Sequence, residues 1–374
     1  MRRQHLFFAL GLCAPLLAAG ARAEDVTIGA PLSMSGTYGY IGPDVQRGMQ
    51  LAADQINAGH EIGANRTLKL DIGDDASDRN QAITLVNRWG HGDAVAIAGP
   101  NSTVTALAVA PVANDLKIPM LSIAVSSAVT KAGPWSYHVM APPNLLMTAL
   151  AKYIIDKLKP RTVMTVHGRD NEGAVAQIKV ARDYMAGKVT LLPEESALMS
   201  ETDFSALATK IVDRKPDVVM IAMADANAAS LIVQCRQAGL DEHTIFVGNN
   251  ATASPSYIRI GGPAVEGSYM AADSFTQARR DTLATKFMAD YQQRFSAPPS
   301  QWSAMGYTIV QVLARAMAGI DGPVTRDLVR DGIGRVHGFE TVLGSSDFGF
   351  DAAREPTYEP LVLTVKNGAF QLAP

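Results

Sequence analysis

Cysteine is nearly absent from this chain, which has 2 cysteines in 374 residues. Cys13 lies in an apolar N-terminal segment, so Cys235 would be alone once that segment is removed. A disulfide within the processed chain is therefore excluded. Cys235 lies in the helix-like stretch VQCRQ, and we expect a buried core residue there rather than a reactive thiol.

Charge is also scarce. Charged residues make up 18% of the chain, and the formal net charge is −3. Lys and Arg form no stripe interleaved with aromatic residues, so nothing indicates binding to nucleic acid. Beyond the N-terminal segment, no apolar run is long enough to predict a membrane-spanning helix. The hydrophobic content of 47% suffices for two domains, each with its own core.

The motifs of common enzyme and metal sites are missing as well. The chain has no H-E-x-x-H, no Walker loop and no G-x-S-x-G elbow, and the glycines of GIGRVHG (332–338) lack the spacing of a dinucleotide loop. Asp74 and Asp75 could be metal ligands or paired acid–base carboxylates, but a polar turn is favoured. We expect no cofactor, no metal and no catalytic residue, with a secreted α/β enzyme as a distant alternative.

The N-terminus carries an export signal. A basic start (MRRQH), an apolar core (LFFALGLCAPLLAAG) and a small-residue site (ARA) stand before Glu24. We predict a signal peptide over residues 1–23, cleavage near Ala23–Glu24 and a periplasmic location. A lipid anchor at Cys13 is a minor alternative, because Leu12 stands where lipoprotein signals have a small residue.

Strand-like and helix-like segments alternate along the remaining chain. Apolar runs such as VTIGAPL (26–32) and IPMLSIAV (118–125) predict strands, and helical spacing predicts a helix over 44–58. Repeated βαβ units predict a mostly parallel sheet with helices on both faces. Two prolines at 142–143 precede a second such series, so the sequence predicts two doubly wound α/β halves.

The last hundred residues follow a different pattern. Helices are predicted over 280–295, 302–319 and 325–334, and PLVLTVKNGAFQL predicts a hairpin that turns at Asn367–Gly368. If this helical segment packs on the first half, the chain crosses between the halves more than once. Such a hinge would permit closure around a ligand.

Polar residues follow the carboxyl ends of the predicted strands, where open α/β sheets bind ligands. In AGPNSTVTALAVAP (98–111), Asn101, Ser102 and Thr103 stand at a predicted helix start. Free backbone N–H groups and hydroxyls there would hold a carboxylate or phosphate, and ordinary helix capping is the alternative. Ser126 follows the next strand and would lie at the same edge.

The order of several segments resembles one family. The landmarks include IGAPLSMSG, QRGMQLAADQIN, AGPNSTVTALAVAPVAND, DFSALATKIVDRKPDVVMIA and FGFDAAREPTYEPLVLTVKNGAF. Together they resemble the periplasmic solute-binding proteins of branched-chain amino-acid type, which serve ABC importers. The resemblance implies the type I periplasmic-binding fold, with two lobes joined by a three-strand hinge. The N-terminal lobe would comprise 24–141 plus 273–350, and the C-terminal lobe 142–272 plus 351–374.

The resemblance also implies a ligand site in the cleft between the lobes. The ligand carboxylate would be held by Ser102, Thr103, Val125 and Ser126. The mouth would present Tyr38, Tyr40 and Ile41, and the second lobe would contribute Glu172, Ala224, Asp225 and Asn250.

This chain departs from the amino-acid pattern in the second lobe. The family's usual aromatic residue is absent at Glu172, and an amide replaces the usual acid at Asn250. Glu172 and Asp225 could still neutralise an ammonium group, which favours an amino acid or a similar amine-bearing carboxylate. If both point to solvent, an aromatic or other organic acid becomes plausible, and an amide is a further alternative. The family's disulfide is missing, with Ala76 and Ser102 near its usual positions.

The function that follows is ligand capture without chemistry. We expect a monomeric receptor that delivers its ligand to an ABC permease in the inner membrane. A ligand sensor of the same fold is the alternative.

Overall fold

The first series of strands forms a five-stranded parallel sheet in the structure, a computed structural model that describes residues 24–274, 281–344 and 347–374. The strands are β1 (Glu24–Leu32), β2 (Arg66–Asp74), β3 (Ala96–Ala98), β4 (Met120–Ser122) and β5 (Ser136–His138). Their order is β2-β1-β3-β4-β5. β4 is shorter than the predicted strand 118–125: it ends at Ser122, and the next residue, Ile123, donates its N–H to the Pro100 carbonyl beyond the end of β3.

Four helices connect these strands: α1 (Gly42–Gly59), α2 (Arg79–Gly90), α3 (Thr103–Asp115) and α4 (Ala128–Lys131). α1 confirms the helix predicted over 44–58. Asp78 begins α2 by accepting a hydrogen bond from the Gln81 N–H, and Ser102 begins α3 by accepting one from the Thr105 N–H. These side chains satisfy donors that a helix leaves free in its first turn.

The second half builds a mixed eight-stranded sheet. Its strands are β6 (Thr162–Gly168), β7 (Thr190–Leu191), β8 (Glu195–Ala197), β9 (Val218–Ala222), β10 (Ile245–Gly248), β11 (Tyr269–Ala272), β12 (Leu361–Lys366) and β13 (Ala369–Leu372). The order is β13-β12-β11-β10-β9-β6-β7, with β8 also paired to β6. β12 is antiparallel to both of its neighbours, and the other pairs are parallel.

The helices of this half are α5 (Pro143–Tyr153), α6 (Glu172–Met185), α7 (Ser205–Arg214), α8 (Asp225–Gln237) and α9 (Pro255–Gly261). Two local sequence features, the Asn367–Gly368 turn and Pro193, determine where strands of this half end. The predicted hairpin is confirmed, with positive φ angles of 55° at Asn367 and 68° at Gly368. The segment KVTLLPEES (188–196) predicts a single strand, and this prediction is wrong: β7 and β8 are separate, because Pro193 between them has no N–H to donate.

The chain passes between the two sheets three times: after β5, after β11 and before β12. Between the last two passages lie α10 (Thr282–Phe295), α11 (Gln301–Met317) and α12 (Arg326–Gly334). α10 and α11 pack against α1, and α12 packs against α11. Arg280, included in the predicted helix, lies outside the described residues, as does the predicted signal peptide. The boundaries of the two lobes remain a prediction. Within the described ranges, every helix is too short or too polar to cross a bilayer.

A buried carboxylate joins the three passages. Asp273, in the second passage, is fully buried. Its Oδ1 accepts hydrogen bonds from the Ala141 N–H at 2.9 Å and the Tyr358 hydroxyl at 2.5 Å, which belong to the first and third passages. Its Oδ2 accepts one from Asn250 Nδ2 at 2.8 Å. Burial raises the pKa of Asp273, and these hydrogen bonds oppose that shift.

A second contact ties the third passage to the first sheet. Glu355 Oε2 lies 2.6 Å from Nε2 of His138, at the end of β5, and Oε1 accepts a hydrogen bond from the Thr130 hydroxyl at 2.8 Å. Burial alone would raise the pKa of Glu355, but the contacts with His138 and Thr130 hold it below its ordinary value. The passages are thus fixed by charged hydrogen bonds in a buried setting, where such bonds are strong.

Two glycines allow α1 and α11 to cross at close range. A Cβ atom at Gly48 would lie 2.0 Å from the Ser303 carbonyl oxygen, and one at Gly306 would lie 2.1 Å from that of Val45. Each obstacle is backbone and cannot rotate away. The return of α11 onto the first half therefore depends on the absence of a side chain at both positions.

We expect Gly306→Ala to lower the free energy of unfolding by about 1–3 kcal/mol, as overpacked core sites do. Helix propensity alone favours Ala by about 1 kcal/mol, so a loss identifies the packing contact. Urea denaturation measures the change. Gly59→Ala is the matched control, because a Cβ there meets only the flexible Glu61 side chain. Equal stability of both variants would contradict the close crossing.

Candidate functional site

A cleft lies where strand ends of both sheets face each other. Its empty volume is about 530 Å³. The first half contributes Tyr38, Tyr40, Ile41, Asn101, Ser102, Thr103, Ile123, Val125, Met140 and Trp302, and the second contributes Asn171, Gly173, Ala174, Gln177, Asn249, Asn250 and Ala251. The halves touch at one edge, where a Cβ atom at Gly173 would lie 2.9 Å from Val125 Cγ2.

The first half presents hydrogen-bond donors at the start of α3. Asn101 is buried, and its Oδ1 accepts a hydrogen bond from the Ser33 N–H at 2.6 Å, so its Nδ2 is left for the cleft. Nδ2 has no partner. The Thr103 hydroxyl accepts from the Val125 N–H at 3.3 Å, which leaves its own proton free to donate. Ser102 caps the helix and bonds to Thr105.

The mouth loop of Tyr38 and Tyr40 is held by two acids at the end of β2, Asp74 as its last residue and Asp75 directly after it. Asp74 accepts hydrogen bonds from Met34 N–H at 3.0 Å and from the Ser35 hydroxyl at 2.7 Å. Asp75, which is buried, accepts from the Ser33 hydroxyl at 2.7 Å and the Ser77 N–H at 2.8 Å. These contacts agree with the favoured interpretation of Asp74–Asp75 as a polar turn. Within the described residues, no three His, Cys, Asp or Glu side chains gather as metal ligands would.

Side-chain amides form the wall of the second half. Asn249 Nδ2 donates to Gln177 Oε1 at 2.9 Å, and Gln177 Nε2 donates to Asn250 Oδ1 at 3.0 Å. All three residues are buried. Among the described residues, Asn249 Oδ1 has no hydrogen-bond partner, and Asn249 lines the cleft.

Four predicted site residues lie outside the lining of this cleft. The Ser126 hydroxyl accepts from the Ala128 N–H at 3.3 Å, a local contact two residues along the chain. Glu172 is 62% exposed at the side chain and lies 3.9 Å from Arg79, across the gap between the halves. Ala224 and Asp225 line an adjoining cavity of about 770 Å³, which shares Tyr38 and Tyr40 with the cleft.

Hydrogen bonds from neighbouring residues satisfy the buried carboxylate of Asp225. Its Oδ2 accepts hydrogen bonds from the Ser254 and Ser256 hydroxyls, and its Oδ1 accepts one from the Ala226 N–H. A role of Asp225 or Glu172 toward a ligand ammonium stays a prediction. Of the residues that line the cleft, none carries a formal charge.

Sequence reasoning missed several lining residues that matter. Asn101 was named at the predicted helix start but not as a ligand contact, and Asn249 directly precedes the chosen Asn250. Gln177 lies in the second turn of α6, and Trp302 lies in the first turn of α11, in a distant part of the chain. Trp302 is buried, and its Nε1 donor has no partner among the described residues. For these two residues the sequence carried no local signal.

Comparison with known proteins adds family evidence. A model of the family described as periplasmic binding protein matches residues 25–369. The Leu/Ile/Val-binding protein homolog 1 of Brucella melitensis is 27% identical over 362 residues, covering 95% of this chain and 94% of that protein. The leucine-specific-binding protein of Salmonella typhimurium is 24% identical over 348 residues, covering 92% of each. By name, these relatives are binding proteins.

Solved structures share the architecture. The leucine-binding protein LivK of Thermotoga maritima superposes with a TM-score of 0.84 at 22% identity, covering 93% of this chain and 98% of that one. LivJ of Streptococcus pneumoniae, determined in complex with isoleucine, superposes with a TM-score of 0.85 at 21% identity. The match covers 94% of this chain and 99% of that one. The predicted fold, two α/β halves of the type I periplasmic-binding architecture, is thereby confirmed.

We expect Asp75→Ala to destabilise the protein by about 1–3 kcal/mol, because the Ser33 hydroxyl and Ser77 N–H lose their acceptor. Urea denaturation measures the loss, and hydrogen exchange across residues 33–41 should become faster. Asp115→Ala, on the exposed end of α3, is the control. An Asp75→Ala protein as stable as the control would contradict the role assigned to Asp75.

Proposed function

Because this chain belongs to the periplasmic binding protein family, we propose that it is the substrate-binding receptor of an ABC importer. Its ligand is a small carboxylate of the amino-acid type, captured in the cleft between the two halves and delivered to a permease of the inner membrane. The receptor is a monomer in the periplasm after removal of residues 1–23, and it catalyses no reaction.

One observation carries this proposal: three residues that line the cleft hold buried polar atoms with no hydrogen-bond partner among the described residues. Asn101 Nδ2, Trp302 Nε1 and Asn249 Oδ1 belong to residues that are 2%, 6% and 6% exposed. An unpaired buried polar group costs about 1–3 kcal/mol, so native proteins satisfy nearly all of them. A ligand with complementary groups would supply the missing partners.

The start of α3 supports a carboxylate at the first-half wall. The first N–H groups of a helix have no partner within the helix, and the helix dipole favours a negative charge there. Asn101 Nδ2 and the Thr103 hydroxyl add side-chain donors at the same place. Ser102 serves this site as the helix cap that orients it. Because these neutral groups donate hydrogen bonds to the ligand carboxylate, its charge needs no positively charged residue in the lining.

Closure of the two halves about the hinge would serve delivery of the ligand to the permease. Ligands enter open clefts and stabilise the closed arrangement when they contact both halves. The contact between Gly173 and Val125 and the approach of Arg79 to Glu172 are the kind of contacts that closure would make. A permease that recognises the closed form would then receive only loaded receptor.

A ligand panel tests the proposal. Thermal melting is recorded with leucine, glutamine and γ-aminobutyrate, and with the deaminated acid of each, 4-methylpentanoate, 4-carbamoylbutanoate and butyrate. A ligand that binds only the native state raises the melting temperature by mass action, by an amount that grows with its concentration. At least one carboxylate should do so. A panel in which no compound shifts the melting temperature would contradict the proposal.

Thr103→Val tests the carboxylate contact. The variant keeps the shape of the side chain and removes a hydroxyl donor, and a hydrogen bond to a charged group is worth about 1.5–3 kcal/mol. We therefore expect the dissociation constant to rise about tenfold or more by titration calorimetry. Thr84→Val, on the exposed face of α2, is the matched control. Unchanged affinity in Thr103→Val would refute the contact.

A further inference from the structure

The second-half wall contains a chain of amides with a fixed direction. We call Asn249, Gln177, Asn250 and Asp273 the amide relay. It runs from Asn249 Nδ2 to Gln177 Oε1 at 2.9 Å, from Gln177 Nε2 to Asn250 Oδ1 at 3.0 Å, and from Asn250 Nδ2 to Asp273 Oδ2 at 2.8 Å. Every member is at least nine-tenths buried.

Asp273 determines the orientation of each amide. A carboxylate accepts hydrogen bonds and donates none, so Asn250 must turn its NH₂ group toward Asp273. Asn250 Oδ1 then faces Gln177 and requires a donor, and the same reasoning orients Gln177 and Asn249 in turn. Tyr358 and Ala141 also donate to Asp273, so three donors converge on its oxygens.

The relay ends at Asn249, which lines the cleft. Its Oδ1 has no partner within the part of the chain that the structure describes, and the Asn249 backbone is fixed by its N–H, which donates to the Ile221 carbonyl at 3.0 Å. A flip of the Asn249 amide would place Oδ1 against Gln177 Oε1, which is repulsive. The cleft therefore meets an oxygen here and not an NH₂ group.

We infer that Asn249 Oδ1 accepts a hydrogen bond from an N–H group of the ligand. No carboxylate side chain lines the cleft to take this role. This inference rests on the proposed function and names the group that the second half recognises. Hydrogen bonds in a chain polarise one another, so the negative charge of Asp273 strengthens the acceptor at the other end of the relay. Gln177 and Asn250 are positioning residues in this account.

An amine-bearing carboxylate could be recognised in two ways, through an acidic side chain or through the amide oxygen of Asn249. Glu172 is exposed and lies beside Arg79, and Asp225 accepts hydrogen bonds from two serines in the adjoining cavity. Neither acid lines the cleft, whereas Asn249 does. The ligand class is thus a small molecule with an acceptor end for the start of α3 and an N–H end for the relay.

Titration calorimetry with matched pairs tests the inference. The probes are leucine against 4-methylpentanoate and γ-aminobutyrate against butyrate. In the pair that contains the bound compound, the N–H-bearing member should bind about tenfold or more tightly than its deaminated partner. Asn249→Leu and Gln177→Met should each abolish most of that difference, while the affinity of the deaminated acid changes little.

Three controls isolate the relay. Asn87→Leu removes a half-buried amide on α2, and Glu172→Gln and Asp225→Asn neutralise the two acids. All three should keep the difference within each pair. Gln177→Met leaves Asn249 in place, so it tests the relay if Asn249→Leu fails to fold, and melting temperatures without ligand identify such a failure.

The results overturn different claims. Equal binding within every pair, or a difference that survives in both relay variants, overturns the inference and leaves the proposed function standing. A difference that is lost in Glu172→Gln or Asp225→Asn overturns the inference in favour of a carboxylate. If no probe binds the unaltered protein, the proposed function fails and the inference fails with it.

Discussion

The buried carboxylate of Asp273 is the constraint on which the arrangement of the two halves depends. Each passage of the chain supplies one partner: Ala141 from the first, Asp273 from the second and Tyr358 from the third. An isolated charge in such a position would be very costly, so the three passages must stay together for Asp273 to remain paired. The same carboxylate orients Asn250, which links the hinge to the cleft wall.

The cleft that results has different chemistry on its two walls. The first half offers donors at the start of α3 and at Trp302, and the second offers the acceptor of Asn249. A small ligand with complementary ends bridges both walls, and such bridging favours the closed arrangement over the open one. Recognition by neutral groups also avoids placing an unpaired charge in the closed cleft when no ligand is present.

Local patterns in the sequence predicted the elements of the fold. Apolar periodicity gave α1, and the Asn367–Gly368 turn gave the final hairpin, because both depend on neighbouring residues alone. The strand-end rule found Ser102 and Thr103 for the same reason. The sequence did not predict Gln177 and Trp302 as site residues, because their place in the cleft arises from the packing of α6 and α11. The interrupted strand at Pro193 shows that one missing N–H can outweigh an apolar pattern.

The central claim is that a ligand lies between the two halves with its N–H group on Asn249. A crystal structure of the protein with the most stabilising compound of the panel tests this most directly. The account predicts a ligand nitrogen at about 2.7–3.2 Å from Asn249 Oδ1 and an acceptor end at Thr103 and Asn101. A ligand nitrogen against Asp225 or Glu172, or a ligand in the adjoining cavity, would contradict it.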